Sequence, residues 1–192
     1  MCHVSVQNPS FYRLLLRIDH DLAQRTRAQR CRCGGVLHSA RYPRKPRGLP
    51  REAASDCDFR YSFCCAQCRH RTTPFSVRFL GRRVYVAAIM VAVSAARASA
   101  GTAAAMRQLD ALGVPPSTIK RWRHWWITEF VTMPLWELGR AAFMPPVEPG
   151  QIPASLLERF AATLHPKPLV RLLHWLTPLT SRSAASNLRE GR

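Results

Sequence analysis

Apolar and polar positions along the chain follow a helical period at both ends and lose it in between. Phe11, Leu14, Leu15, Ile18 and Leu22 recur every three or four residues, which predicts an amphipathic helix from residue 10 to about residue 27. From Cys31 to Pro74 that period disappears. Cys, Gly and Pro punctuate the stretch, and two short β-like segments stand out at 36–42 and 59–64. Beyond Val84 the pattern is helical again, with helices expected at 84–98, 102–112, 116–132, 154–164 and 168–176. Gly101, Gly113 and the Pro-rich stretch 145–153 separate them, and the segment from 181 on reads as a frayed tail.

These elements predict a mainly α protein with a small β ribbon (an α+β class) in four segments. They are an N-terminal amphipathic helix (1–30), a Cys-bearing ribbon with a basic Pro-rich loop (31–83), a helical domain with a helix-turn-helix (84–135), and a C-terminal helical segment and tail (136–192). In the last segment Leu156, Leu157, Phe160, Leu164, Leu169, Leu172, Leu173 and Trp175 offer an apolar surface for packing on the helical core or for a homodimer. The apolar run 84–96 ends at Arg97 and falls short of the about 20 residues a bilayer span needs, so a buried helix is expected and no membrane partner. No basic stretch followed by an apolar core opens the chain, so a cytoplasmic protein is expected.

Composition narrows the class. The 192 residues hold 29 Lys and Arg against 11 Asp and Glu, a net charge of +18, while 47% are hydrophobic. That balance excludes a disordered basic tail and points to a polyanion, nucleic acid first. Only Lys45, Lys120 and Lys167 are lysines, a skew that codon usage in a GC-rich genome also produces. Position is therefore more telling than number: residues 1–83 carry 17 of the cations and 5 of the anions.

Seven cysteines on a chain with no expected secretory signal read as metal ligands or redox groups. Cys31-Arg-Cys33-Gly34-Gly35 and Cys64-Cys65-Ala-Gln-Cys68 form two clusters that bound the β-like segments. A structural Zn²⁺ site wants two knuckles, each aiming two sulfurs at one point, and Gly34 and Gly35 supply the permissive backbone after the first pair. Cys31, Cys33, Cys65 and Cys68 are the first choice. Cys64 is an alternate for Cys65, and His38 or His70 could replace a sulfur. A thiol redox pair at Cys65 and Cys68 lacks the βαβ context that would support it, and four protein ligands leave no open position for catalysis. Cys2 and Cys57 read as ordinary buried thiols.

Residues 103–126 read as a helix-turn-helix. An Ala-rich helix ends at Gly113, which can take the left-handed turn; Val114 can plug the angle, and Pro115-Pro116 can open the next helix. Ile119, Trp122 and Trp126 should then face inward, leaving Ser117, Thr118, Lys120, Arg121 and His124 as a basic face for duplex DNA. Trp125 is the tryptophan expected outside. An ordinary αα-hairpin with a solvated basic face competes with this reading, and the overall charge favours DNA. Arg41, Arg44, Lys45, Arg47 and Arg51 lie in a Pro-rich loop able to follow a phosphate backbone, and Arg69 and Arg71 beside the second knuckle add to it.

Taken in order, Cys-x-Cys-Gly-Gly, then Phe63-Cys-Cys-Ala-Gln-Cys-Arg-His-Arg-Thr-Thr-Pro-Phe-Ser76, then Gly113-Val-Pro-Pro-Ser-Thr-Ile-Lys-Arg-Trp122 resemble the zinc-ribbon and helix-turn-helix region of bacterial insertion-sequence transposases and related small proteins. The resemblance covers roughly residues 31–130. It implies Cys31, Cys33, Cys65 and Cys68 as zinc ligands and the 117–124 face as the DNA reader. Such transposases continue into a catalytic domain with three metal-binding carboxylates. After residue 130 this chain offers only Glu137, Glu148, Glu158 and Glu190, and two-metal phosphoryl chemistry needs carboxylates that converge. A DNA-binding, transposase-like or transposon-associated protein without its own catalytic residues is therefore expected. The alternatives are a transposase or nuclease subunit with an unrecognised active site, and an RNA- or protein-binding zinc module.

Overall fold

Asn8 caps the helix that begins at Pro9. Its side chain accepts a hydrogen bond from the Ser10 N–H, and Pro9 occupies the first turn, where a missing N–H costs nothing. The computed structural model describes residues 5–81, 83–99, 102–161 and 167–181. They fall into two compact units, one of residues 8–86 with 176–181, the other of residues 5–7 with 87–175. The expected tail beyond 181, and Leu164, lie outside the described residues.

In the first unit α1 (Pro9–Ala28) buries Tyr12, Leu15, Asp19 and Ala23. This row is rotated by about one position from the expected stripe, whose Phe11, Leu14, Ile18 and Leu22 flank it half-buried. The cause is a carboxylate at the centre of the packed face. Asp19, 1% exposed, accepts through its carboxylate from Ser76 Oγ (2.6 Å), Val77 N (2.6 Å) and the fully buried guanidinium of Arg78 (2.8 Å). Three acceptor bonds and an opposite charge offset the desolvation that would otherwise keep Asp19 out of the core. Arg78 also donates to the Asp56 carbonyl, and its guanidinium lies against Phe59, Tyr61 and Phe79. Arg60, 7% exposed, donates to the carbonyls of Pro74, Gly81 and Thr180, which brings residues 177–181 onto the ribbon, and burial lowers its guanidinium to about 10.

The ribbon is an antiparallel sheet in the order β1 (Leu37–Ser39), β4 (Phe63–Cys65), β5 (Arg71–Thr72), beside a separate pair of β2 (Tyr42–Pro43) and β3 (Phe59–Arg60). Leu37 pairs with Cys65, and His38 with Cys64, which also pairs with Arg71.

The second unit is all helical and centres on α2 (Ala87–Ala98), whose residues 87–95 are all buried, as expected for a helix apolar on every side. Around it pack α3 (Ala103–Asp110), α4 (Pro116–His124), α6 (Ala154–Ala161) and α7 (Pro168–Trp175), with the short α5 (Pro134–Gly139) beyond α4. Leu156, Leu157, Leu169, Leu172 and Leu173 are spent on this core. Trp125, Trp126, Phe130, Trp136 and Trp175 form one aromatic cluster, with edge and tilted contacts of 4.7–6.2 Å. The fold class is the one expected, mainly α with a small antiparallel ribbon.

Candidate metal centre and basic helix face

The four sulfurs of Cys31, Cys33, Cys65 and Cys68 lie within 4.8 Å of one another, so these residues can hold a metal ion. They meet across the two knuckles: Cys31 with Cys68 and Cys33 with Cys65, each at 3.5 Å. The first knuckle closes through Gly34 N–H to the Cys31 carbonyl (2.8 Å) and Cys31 N–H to the Gly35 carbonyl (3.0 Å). The second closes through Cys65 N–H to the His70 carbonyl (3.0 Å) and Arg69 N–H to the Cys65 carbonyl (3.2 Å).

Both knuckles end on a residue at positive φ directly after their second cysteine, Gly34 at 84° and Arg69 at 60°. Arg30, just before Cys31 at the end of α1, adopts the same conformation at 61°. An L-residue there costs roughly 1–2 kcal/mol that glycine does not. Gly35 is needed for another reason: a Cβ on it would sit 2.6 Å from the Cys65 sulfur.

The choice between Cys64 and Cys65 follows from strand geometry. Neighbours on a strand face opposite ways. Cys65, paired with the buried Leu37, points into the core with Ala23, Cys31 and Phe63. Cys64 shares the other face with the exposed His38 and Arg71, and its sulfur lies 3.6 Å from the Arg69 carbonyl. His38, His70 and Cys64 are not part of the cluster among the described residues. The backbone N–H groups of Cys68 and then Gln67 favour a thiolate at Cys65 and lower it to about 6. Cys57 is a fully buried thiol pushed up to about 12 by burial.

The basic loop is less free than its composition suggests. Arg44, expected on a DNA-facing arm, is half-buried: it donates to the Arg83 carbonyl and stacks on Phe79, and burial lowers its guanidinium. The segment is held both by this side chain and by backbone bonds, Arg44 N–H to the Asp58 carbonyl (2.6 Å) and Arg47 N–H to the Val84 carbonyl (3.2 Å). Arg41 is exposed but stacks on Phe59, 4.4 Å from the ring centre. Lys45, Arg47, Arg51, Arg69 and Arg71 are exposed, and the Arg47 backbone bridges to Tyr85.

In the helical unit α3 and α4 are joined by residues 111–115, with Gly113 at φ 65°. Ser117, Lys120, Arg121, Arg123 and His124 are exposed on α4. Two expectations fail here. Thr118, expected on the basic face, is buried and accepts from Arg121 Nη2 (3.1 Å). Trp125, expected outside, is buried beside Trp126. The packed row runs Thr118, Trp122, Trp126, Phe130, in steps of four, which moves Ile119 to its half-buried edge. A π-helical turn over Trp125–Glu129 widens the helix there, so two successive tryptophans fit inside.

Asp19, Ser76, Arg60 and Arg78, which organise the ribbon unit from inside, are unmarked in the sequence, where they read as surface residues of a basic protein. No helix among the described residues is long and apolar enough to cross a membrane. Comparison with protein-family models, curated proteins and solved structures gives no match.

Proposed function

We propose that this chain binds duplex DNA, as a transposase-like or transposon-associated protein without catalytic carboxylates of its own. Zn²⁺ on Cys31, Cys33, Cys65 and Cys68 staples the ribbon, and α3, the Gly113 turn and α4 act as a helix-turn-helix. The observation that carries the reading is the exposed row Ser117, Lys120, Arg121 and His124 on α4, set back to back with the buried row of Thr118, Trp122 and Trp126. A recognition helix needs that division, with an apolar stripe to dock it and donors on the side that enters the major groove. Thr118 then serves the face from beneath, tying one edge of the Arg121 guanidinium and leaving the rest of the fork to a guanine edge.

The donor set fits zinc. With Zn–S bonds of about 2.3 Å, tetrahedral sulfurs stand about 3.8 Å apart. The Cys31–Cys68 and Cys33–Cys65 sulfurs are 3.5 Å apart, and no two of the four are more than 4.8 Å apart. All four positions are filled by protein, so the ion's part is structural. It replaces the core that strands of two or three residues cannot build.

Selection of bound duplexes from a randomised pool tests the reading. Arg121→Ala should relax preference at one base pair by about 1–3 kcal/mol, and Lys120→Ala should weaken all duplexes alike. Unchanged binding in both variants, or equal affinity for structured RNA at matched salt, would contradict it.

A further inference from the structure

Among the described residues, the non-glycine positions with positive φ are Arg30 and Arg69. Both are arginine, and they flank the same sulfur pair, Arg30 preceding Cys31 and Arg69 following Cys68. Glycine takes this conformation without strain and is the ordinary choice both after a helix and at the end of a knuckle. Strain kept at two matching places, with the same charged side chain at each, calls for a use of those side chains. Both residues are exposed, and among the described residues neither guanidinium has an ion pair or a hydrogen bond, to a cysteine sulfur or to anything else.

Arg30 also walls an open cleft of about 410 Å³, lined by Gln24, Arg27, Ala28, Val36 and Leu37. The cleft thus offers two guanidinium groups and an amide above an apolar wall, and Val36 in that wall is 46% exposed. A deoxyribose between two phosphates presents the matching pattern. The loop expected to hold the backbone is by contrast partly committed, since Arg44 and Arg41 are engaged within the fold.

We propose that Arg30 and Arg69, with Arg27 on the cleft wall, form a phosphate clamp through which the knuckle rim holds the sugar-phosphate backbone of duplex DNA. The clamp rests on the DNA-binding reading above and adds the rim of the cysteine centre to the exposed part of the 41–51 loop as the ribbon's contact. It acts on phosphates, so it adds affinity and salt dependence without sequence preference.

The full-length zinc-loaded protein allows a test in which folding and binding respond differently. Arg30→Gly and Arg69→Gly both substitute the residue the backbone prefers, so metal content should hold and Tm should stay level or rise. The double variant should lose roughly tenfold or more in affinity for a generic duplex, and its log–log salt slope should become shallower by about 2, one phosphate per arginine. Arg30→Lys with Arg69→Lys, which keeps the charges, should retain most of the slope. Unchanged affinity and slope in the double glycine variant, with binding still lost in Lys120→Ala plus Arg121→Ala, overturns the clamp alone. Loss of zinc from the glycine variants assigns the two arginines to the metal centre and also overturns it. A wild-type protein that does not bind duplex DNA overturns the clamp together with the reading it rests on.

Discussion

Single atoms decide two sites of the ribbon unit. At Gly35 a methyl group would meet the Cys65 sulfur at 2.6 Å, and a ligand sulfur cannot retreat without leaving the cluster. Gly35→Ala should therefore lower metal affinity roughly 10–100-fold, the usual cost of disturbing a ligand's support, read by competition with a chromophoric chelator. At Asp19 the issue is charge. Asp19→Ala leaves the Arg78 guanidinium, 0% exposed, without its counter-ion, and should cost about 3–5 kcal/mol in denaturant unfolding. Asp110→Ala removes a pair just as short, Arg97 to Asp110 at 2.6 Å, but with side chains 42% and 59% exposed, and should cost under about 1 kcal/mol. Equal losses in the two variants would contradict this account of burial. The sequence marks the first site and hides the second. Paired cysteines next to glycines advertise a metal knuckle, whereas Asp19 and Arg78 meet across 59 residues and look like any surface acid and base.

At the scale of elements, legibility follows the strength of the local period. α1 is predicted within a few residues because its repeat is long and uninterrupted, and α2 because its apolar run is long. The details of α4 are not, because its inward row includes a threonine and then a π turn, and a helical wheel drawn at 3.6 residues per turn places Thr118 and Trp125 on the wrong side. The strands show the opposite case. Alternation alone separates the half-exposed Cys64 from the buried Cys65, once the register Leu37 to Cys65 is known. With the proposed zinc in place, short strands also imply dependence on the ion. Thiolates bind metal and protons compete for them, so affinity should fall as the pH is lowered from neutral to about 5. The ribbon should lose its structure as the metal leaves. A cobalt-substituted sample reports this directly, through loss of the thiolate charge-transfer band, and a band that persists unchanged across that range would contradict a four-cysteine site.

For the whole chain, the charge of +18 is the property on which the proposal of a polyanionic partner rests. Part of that charge is internal: Arg60 and Arg78 are buried, and Arg44 is half-buried and tethered. The exposed cations among the described residues include those of the knuckle rim, of parts of the 41–51 loop and of α4. Contact of these residues with the phosphates of duplex DNA is the proposed basis of binding. Its most direct test is the affinity of the zinc-loaded protein for a duplex, measured as a function of salt. With six or more phosphates neutralised, the log–log slope should be about −5 or steeper. A slope near zero, or no saturable binding at low salt, would rule out binding through these phosphate contacts.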